Sequence, residues 1–391
     1  MTTLNFEINE YRQRIEKCYE VMQSNDIDLL YITDPSNMVW ISGYDGWSFY
    51  VHQGVLLHMD NSPIWFGREL DANGAIRTVH MPASFIVSYP DYYVQNPEHH
   101  PMDYLSTIIK EYGWDKLRIG VEKDNYYFSA DCLEKLRKNL PEVTFLDSTN
   151  LVNWLRIVKS PTETNYLRIA AQIADNIHTT IIDKIEPGLP KNQLVADIYH
   201  TAISGVNGYG GDYPAIVPML PSGEDASAAH LTWNDKPLEL NTGTFFEIAG
   251  CYKRYHCPLA RTIYLGKPPK KYLDVEMVML EGISAALAAV KPGNTCEQIE
   301  LAWKDVISRY DINKNSRCGY SIGIGYPPDW GEHTASIRAG DKTILKENMA
   351  FHLIPALWFD DWGIEISESF IVTNNGVEVL CNTPRKLFVK E

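Results

Sequence analysis

The stretch from Thr244 to Gly266, TFFEIAGCYKRYHCPLARTIYLG, decides how the rest of the chain is read. TFFEI is an apolar run rich in strand-forming residues, GCYKR reads as a turn, and LARTIYLG is a second such run. Two buried strands joined by a short reversal are therefore expected. Glu247 stands in the middle of the first strand. A carboxylate in so apolar a run is costly unless it is paired or has a task, so its setting alone makes Glu247 a site candidate.

Working outward, the segments flanking this hairpin repeat each other. Ile185-Glu186-Pro187-Gly188, leading into Leu194, Ala196 and Ile198, recurs as Val290-Lys291-Pro292-Gly293, leading into Ile299, Leu301 and Trp303. In both copies a long helical pattern precedes a Pro-Gly stop, where proline removes a donor and glycine permits a left-handed turn. The spacing is too long for a solenoid and reads as two equivalent halves of one domain. That domain opens at Ser160-Pro161-Thr162-Glu163, a capping box with proline at the first helical position, followed by an apolar face of Tyr166, Ile169, Ala170, Ile173 and Ile177.

Upstream, residues 1–157 alternate helix and strand. Glu7 to Ser24 is helical; Asp28 to Ile32, Gly54 to Met59, Pro63 to Gly67, Leu117 to Glu122 and Val143 to Asp147 read as strands. Further helices are expected around Met102 to Tyr112 and Ala130 to Leu140. This is an α/β domain, and it carries an early aromatic run of Trp40, Tyr44, Trp47, Phe49 and Tyr50. Downstream, Asp212 to Pro218 reads as a strand, and Gly319 to Gly325 with Pro327-Pro328 as a loop that brings backbone close to a ligand.

Composition narrows the function classes. With 391 residues the chain is long enough for two domains. A net charge of -15 opposes a polyanionic partner, so neither nucleic acid nor an anionic membrane is expected. No apolar run approaches the roughly 20 residues of a membrane span, and the polar N-terminus lacks the order of a signal peptide. The seven cysteines are scattered without CxxC spacing, which fits free thiols in a reducing cytoplasm. Cys257 is a nucleophile candidate ranked below Glu247.

Arg261-Thr262-Ile263-Tyr264-Leu265-Gly266 resembles the R-T-x-x-x-G that closes the first metal-ligand hairpin of the pita-bread family, which contains methionine aminopeptidases, Xaa-Pro peptidases and creatinase. The resemblance implies a creatinase-like α/β N-terminal domain (1–157) and an α+β pita-bread catalytic domain (158–391) with internal pseudo-symmetry. It also implies a homodimer in which the N-terminal domain of one subunit helps cover the site of the other, giving Trp47 and Tyr50 a place at the pocket. The family's metallopeptidases hold two metal ions with two Asp, one His and two Glu. Those positions fall here on Glu247, Pro258, Tyr320, Ile354 and Ser367. Four of the five have lost a good ligand, since Pro and Ile offer no side-chain donor to a hard cation. A member with no metal and no cofactor is expected.

Within the family, the segments 326–332 (YPPDWGE), 360–363 (DDWG) and 93–98 (YVQNPE) are most similar to those of ectoine hydrolases. That likeness implies a small zwitterionic substrate, a cyclic amidinium bearing a carboxylate, opened to N-acetyl-2,4-diaminobutyrate. Its carbon already carries positive charge, so a carboxylate can pair with it and add to it. Glu247 is the expected nucleophile. His230, at a position where creatinase and Xaa-Pro peptidases carry a substrate-facing His, is the expected acid and base. Tyr320, Ser321 and Arg68 are nominated for the substrate carboxylate. Glu332 and His333 fall near the place of a second catalytic His, and Trp362 and Glu365 lie on the last strands, with Glu365 and Ser367 expected on one face. His352 reads as scaffolding. The alternatives are a creatinase-like amidinohydrolase, a metal-dependent Xaa-Pro peptidase or lyase, and a binding protein without activity. Creatinase's paired glutamates match Ala260 and Ile354, which counts against creatine.

Overall fold

The computed structural model describes residues 4–391, which form two compact units, one running to Leu155 and the other from Arg156. In the first unit the helices are α1 (Ile8–Ser24), α2 (Pro35–Ser42), α3 (Ala72–Thr78), α4 (Pro101–Glu111) and α5 (Ala130–Asn139), with α6 (Leu151–Arg156) at its end. They alternate with β1 (Leu29–Ile32), β2 (Gly54–His58), β3 (Ile64–Arg68), β4 (Ile86–Tyr89), β5 (Arg118–Val121) and β6 (Thr144–Asp147). The six strands form one mixed sheet in the order β4-β3-β2-β1-β5-β6. Leu29, Tyr31, Phe66 and Ile119 of this sheet meet Leu105, Ile109 and Leu136 of α4 and α5 in one core. The α/β reading of this domain holds. β4 was not anticipated, because its IVSY is short and only partly buried.

The second unit begins with α7 (Pro161–Lys184), whose capping box at Ser160 and Glu163 forms as the sequence predicts. The duplication is realised in three dimensions. α7 and α8 (Lys191–Ser204) flank one Pro-Gly stop, and α9 (Lys270–Ala288) and α10 (Cys296–Ser308) flank the other. Gly188 and Gly293 both take left-handed backbone, with φ of 89° and 91°. Each then donates its N–H to a returning segment of chain, at Leu238 O and Leu345 O. A hairpin follows each helix pair: β7 (Thr242–Tyr252) with β8 (Tyr255–Leu265), then β9 (Gly319–Tyr326) with β10 (Asp329–Ile337). The remaining strands are β11 (Ala350–Leu353), β12 (Leu357–Trp358), β13 (Gly363–Ile364), β14 (Glu368–Val372), β15 (Val377–Val379) and β16 (Phe388–Lys390). The main sheet runs β15-β14-β11-β9-β8-β16, with β7 paired to β8 and β10 to β9. This is the pseudo-symmetric α+β domain expected.

Three expectations change. The strands β7 and β8 are longer than the apolar runs on which they were read, and only Lys253 and Arg254 turn between them, both with positive φ. Gly250 and Pro258 hid this. A Cβ at Gly250 would lie 2.0 Å from Ala170 O of α7, so glycine is there for close helix packing and not for a bend. The second change concerns Gly319–Gly325, which is a buried strand and not a loop; its glycines serve close approach, as at Gly325, whose Cβ would sit 2.8 Å from Trp330 Cα. Asp212 to Pro218 in turn forms no regular strand. It is held by His256, whose Nε2 accepts from Ala215 N–H at 2.9 Å, and by a bridge between Met219 and Glu247. No helix among the described residues is long and apolar enough to cross a membrane.

Isoleucines 169, 173, 177 and 181 of α7 pack with Phe246, Ile248, Ile263 and Leu265 on one face of the hairpin, as alternation along a strand requires. Phe245, Glu247 and Ala249 therefore point to the other face. Arg261 ties this hairpin to the end of the chain. Fully buried, it donates to Ala260 O, Ser367 O, Thr383 O and Pro384 O and pairs with Glu368 at 2.9 Å. Removing one partner of a buried, hydrogen-bonded ion pair costs roughly 3–5 kcal/mol. Arg261→Met is therefore expected to lower the urea midpoint steeply; an unchanged midpoint would show that this network is dispensable.

Candidate active site

Because Glu247 pairs through its backbone with Ala260 of β8 on one side and with Met219 on the other, it is fixed in register while its side chain leaves the sheet. It enters a cavity of about 680 Å³, within the usual size of a small-molecule site. The lining also includes His230, Lys314, Arg317, Tyr320, Asp329, Ile354, Trp358 and Glu365. Every lining residue belongs to the second unit.

Glu365 reaches the same cavity through the R-T pair of β8. Thr262 Oγ1 accepts from Glu365 N–H at 2.8 Å and donates to Glu365 O at 2.9 Å, while Arg261 holds Ser367 O and Glu368. The segment between β13 and β14 is thereby clamped. Among the described residues, neither the Glu247 nor the Glu365 carboxyl has a hydrogen-bond or ion-pair partner, although both residues are buried.

Such carboxyls resist ionisation. Burial, reinforced by the nearby Asp329 charge, raises Glu247 to about 8. Burial and then Glu247 push Glu365 well above the usual carboxylate range, against the pull of Lys314. Asp329 behaves differently. Burial would raise it, but bonds from His333 Nε2 at 2.9 Å and from Gly331 N–H at 2.9 Å outweigh that and keep it low. The cavity thus has an acidic pole holding one stable charge and two reluctant acids. Lys314, which donates to Ser316 Oγ and Ala356 O, and Arg317, 4.5 Å over the Tyr320 ring, supply its positive charge.

Of the residues singled out in the sequence, Glu247, His230, Tyr320 and Glu365 come together here. Ser321 does not join them: alternation along β9 turns it away from the side of Tyr320, and its hydroxyl bonds Thr334 at 2.6 Å. Glu332 lies off the cavity in a buried pair with Lys159 at 2.6 Å, with Arg156 4.0 Å away. Trp362 belongs to the core, stacked on Phe359 at 4.4 Å and packed on Tyr272. Trp358, four residues earlier, lines the cavity in its place. His333 is exposed and is not among the cavity's lining residues; it bonds Asp329, which is. Arg68 is committed to Asp91 in the first unit, where Trp47 and Tyr50 are 57% and 63% exposed. Ser367 does not share the face of Glu365, because the chain passes from one sheet to another between β13 and β14. The sequence reading missed Arg317 and Lys314, which lie in a polar stretch before β9 and announce themselves by no motif.

The donors do not assemble for a metal ion. Pro258 and Ile354 offer none. Tyr320 and Ser367 are bridged by His352, whose Nδ1 lies 3.0 Å from the Tyr320 hydroxyl and whose Nε2 lies 2.8 Å from Ser367 Oγ. Among the described residues, the cluster of three His, Cys, Asp or Glu side chains with ligating atoms within 4.8 Å of one another lies in the first unit and contains none of the cavity's carboxyls.

Comparison with known proteins gives a consistent picture. Residues 165–374 match the metallopeptidase family M24, and residues 14–158 match the creatinase/prolidase N-terminal domain. The ectoine hydrolase of Halomonas elongata is 52% identical, covering 99% of this chain and 99% of that protein. The Xaa-Pro dipeptidase of Pyrococcus furiosus is 23% identical over 96% of this chain and 99% of its own. Among solved structures, a prolidase from Thermococcus sibiricus superposes with a TM-score of 0.84 at 19% identity, covering 97% of this chain and 99% of that one.

The raised Glu247 has a measurable consequence for stability. From about 4.5, where the unfolded carboxyl ionises, up to about 8, the folded chain holds a proton that the unfolded chain has lost. Stability contributed by the protonated form is complete below that window and is lost as pH rises through it. Glu247→Gln removes the titration. Thermal melts are expected to coincide for wild type and variant near the acid end and to diverge in favour of Glu247→Gln toward about pH 8; a constant difference across the series would contradict the assigned protonation.

Proposed function

The chain belongs to metallopeptidase family M24 and carries the creatinase/prolidase N-terminal domain ahead of it, and from that membership we propose that it hydrolyses the cyclic amidine ring of ectoine without a metal. The observation that carries this reading is the pair of buried, unpartnered carboxyls, Glu247 and Glu365, in a cavity that also holds His230 and Asp329. A buried acid without a partner is a poor structural element and a good receptor for a delocalised cation. Arg317 and Lys314 are suited to the substrate's carboxylate, so a cavity lined by groups of both signs suits a zwitterion. The named activity of the Halomonas elongata relative, at 52% identity over nearly the whole chain, points the same way.

The mechanism follows from where the protons lie. Entry of the amidinium favours the ionised form of Glu247, whose proton passes to His230. The Glu247 carboxylate oxygen then adds to the amidine carbon, forming a C–O bond between enzyme and substrate. One ring C–N bond breaks as its nitrogen takes the proton from His230. Water, deprotonated by His230, adds to the same carbon and expels Glu247, leaving the acetamide. Asp329, oriented by His333, stabilises the positive charge before attack.

We further propose a homodimer in which Trp47 and Tyr50, exposed aromatic residues of the first unit, complete the site of the second copy. This extends the expectation drawn from the family.

Three experiments test these proposals. NMR of purified protein with ectoine should show loss of the ring signals, and their persistence at high enzyme concentration would remove the substrate assignment. Glu247→Gln should stay folded, bind ectoine and lose several orders of magnitude in turnover; retention within about tenfold, near 1.4 kcal/mol of barrier, would leave His230 activating a free water as the replacement. For assembly, light scattering at assay concentration should report a dimer. A fully active monomer would refute the shared site.

A further inference from the structure

Residues 93–96 (YVQN) of the segment 93–98, which plays no part in the proposed reaction, line a second cavity of about 150 Å³ within the first unit. His52 and His100 form another wall of it, and Cys132 lies against them. One ligating atom from each of these three residues lies within 4.8 Å of the others.

We propose that His52, His100 and Cys132 form a binding site for a borderline-soft divalent metal ion, with Zn2+ the ion their donor set fits best. Two imidazoles and a thiolate are ligands that zinc prefers, whereas magnesium and calcium require oxygen. The spacing agrees. Zn–N bonds of about 2.0–2.1 Å and a Zn–S bond of about 2.3 Å at a tetrahedral angle place nitrogen and sulfur ~3.5 Å apart, and His52 Nδ1 is 3.5 Å from Cys132 Sγ.

The three residues are held by elements far apart in sequence. Tyr89 donates its hydroxyl to His52 O at 2.8 Å, fixing the backbone just before β2. His100 is the N-cap of α4. Cys132 is the third residue of α5, where the fixed helix backbone sets the direction of its thiol. Asp131 Oδ2, 3.6 Å from His100 Nε2, is placed to orient the imidazole. The adjoining cavity gives the ion a way in and room for a bound water.

Binding has a defined chemical cost. The Cys132 thiol loses its proton to solvent as the S–metal bond forms. His100 Nδ1 now accepts from Met102 N–H at 3.1 Å, and a neutral ring that ligates an ion must carry its hydrogen on the other nitrogen or give up that lone pair. The ion therefore takes the place of this capping bond. The start of α4 keeps its other cap, from His100 N–H to Asp103 Oδ2 at 2.9 Å. In return the ion joins the β2 approach, α4 and α5, so it should stabilise the first unit.

Full-length protein, stripped with chelator and reduced, would be titrated with Co2+ and then Zn2+. One equivalent of Co2+ should produce thiolate-to-cobalt charge-transfer absorption, which Zn2+ then displaces, and Zn2+ should raise the melting temperature reversibly. Cys132→Ser should abolish the absorption, and His52→Gln should weaken Zn2+ binding at least tenfold, both in chains shown to be folded by circular dichroism. Glu247→Gln should bind as the wild type does, which separates this site from the catalytic cavity. Should Cys132→Ser fail to fold, His52→Gln decides alone. Absence of the absorption in the wild type, or its survival in folded Cys132→Ser, would overturn the assignment and leave Cys132 and His52 as a buried thiol–imidazole hydrogen bond.

Discussion

A guanidinium buried without access to water must place every N–H on an acceptor, and Arg261 meets that demand by binding two remote pieces of chain to β8. Two of its acceptors are backbone carbonyls at Thr383 and Pro384, one is Ser367 O, and one is the Glu368 carboxylate, which also receives Arg385 at 2.9 Å. Those contacts fix where the segment after β13 runs. Thr262, next in sequence, then exchanges two hydrogen bonds with the Glu365 backbone. The position of one cavity acid is thus a consequence of how the neighbouring arginine is satisfied. The hairpin and the last strands are a single unit built around one buried cation.

The cavity reverses that logic. Where Arg261 and Glu368 neutralise each other, Glu247 and Glu365 are buried with no counter-charge on their oxygens, and desolvation leaves them protonated. Each pKa unit by which a guest lowers Glu247 corresponds to about 1.4 kcal/mol of preference for the ionised form. A cationic guest thus gains the attraction of the carboxylate it ionises, less the cost of displacing the proton that the empty site holds below about pH 8. A neutral ligand of the same shape gains nothing from it. Charge selection in this cavity therefore rests on burial, and does not need a preformed ion pair.

The large-scale architecture was legible in the sequence because it is written in local chemistry. The Pro-Gly stops at Pro187-Gly188 and Pro292-Gly293, the capping box at Ser160 and the apolar stripe of α7 each depend on neighbours within a few residues, and each formed as read. Glu247 stood out for the same reason: an acid between Phe246 and Ile248 has no local excuse. Where long-range packing set the conformation, the reading failed. The glycines of β9 looked like loop residues, yet they make room for Trp330 and Glu332 on the paired strand. Ser321 and Trp362 carry suitable side chains, but face selection along a strand and a change of sheet turn them away from the cavity. Arg317 could not be found, since an exposed arginine in a polar stretch looks like any other.

At two of the positions that match the family's metal ligands the buried polar groups satisfy one another, whereas Glu247 and Glu365 stay unpartnered among the described residues. In the family's scheme a His and a Glu would stand where Tyr320 and Ser367 are found. Here His352 lies between those two positions, touching both, and Ser367 Oγ also accepts Ala260 N–H at 2.7 Å while Trp330 Nε1 donates to the Tyr320 hydroxyl at 2.8 Å. Burial lowers His352 to about 3, so this chain is neutral throughout. It satisfies buried polar atoms while adding no charge to the cavity. Ile354 at a third position removes a carboxylate outright. Among the residues that line the cavity, the carboxyl groups are then those of Glu247, Glu365 and Asp329, two of them held protonated by burial and one ionised.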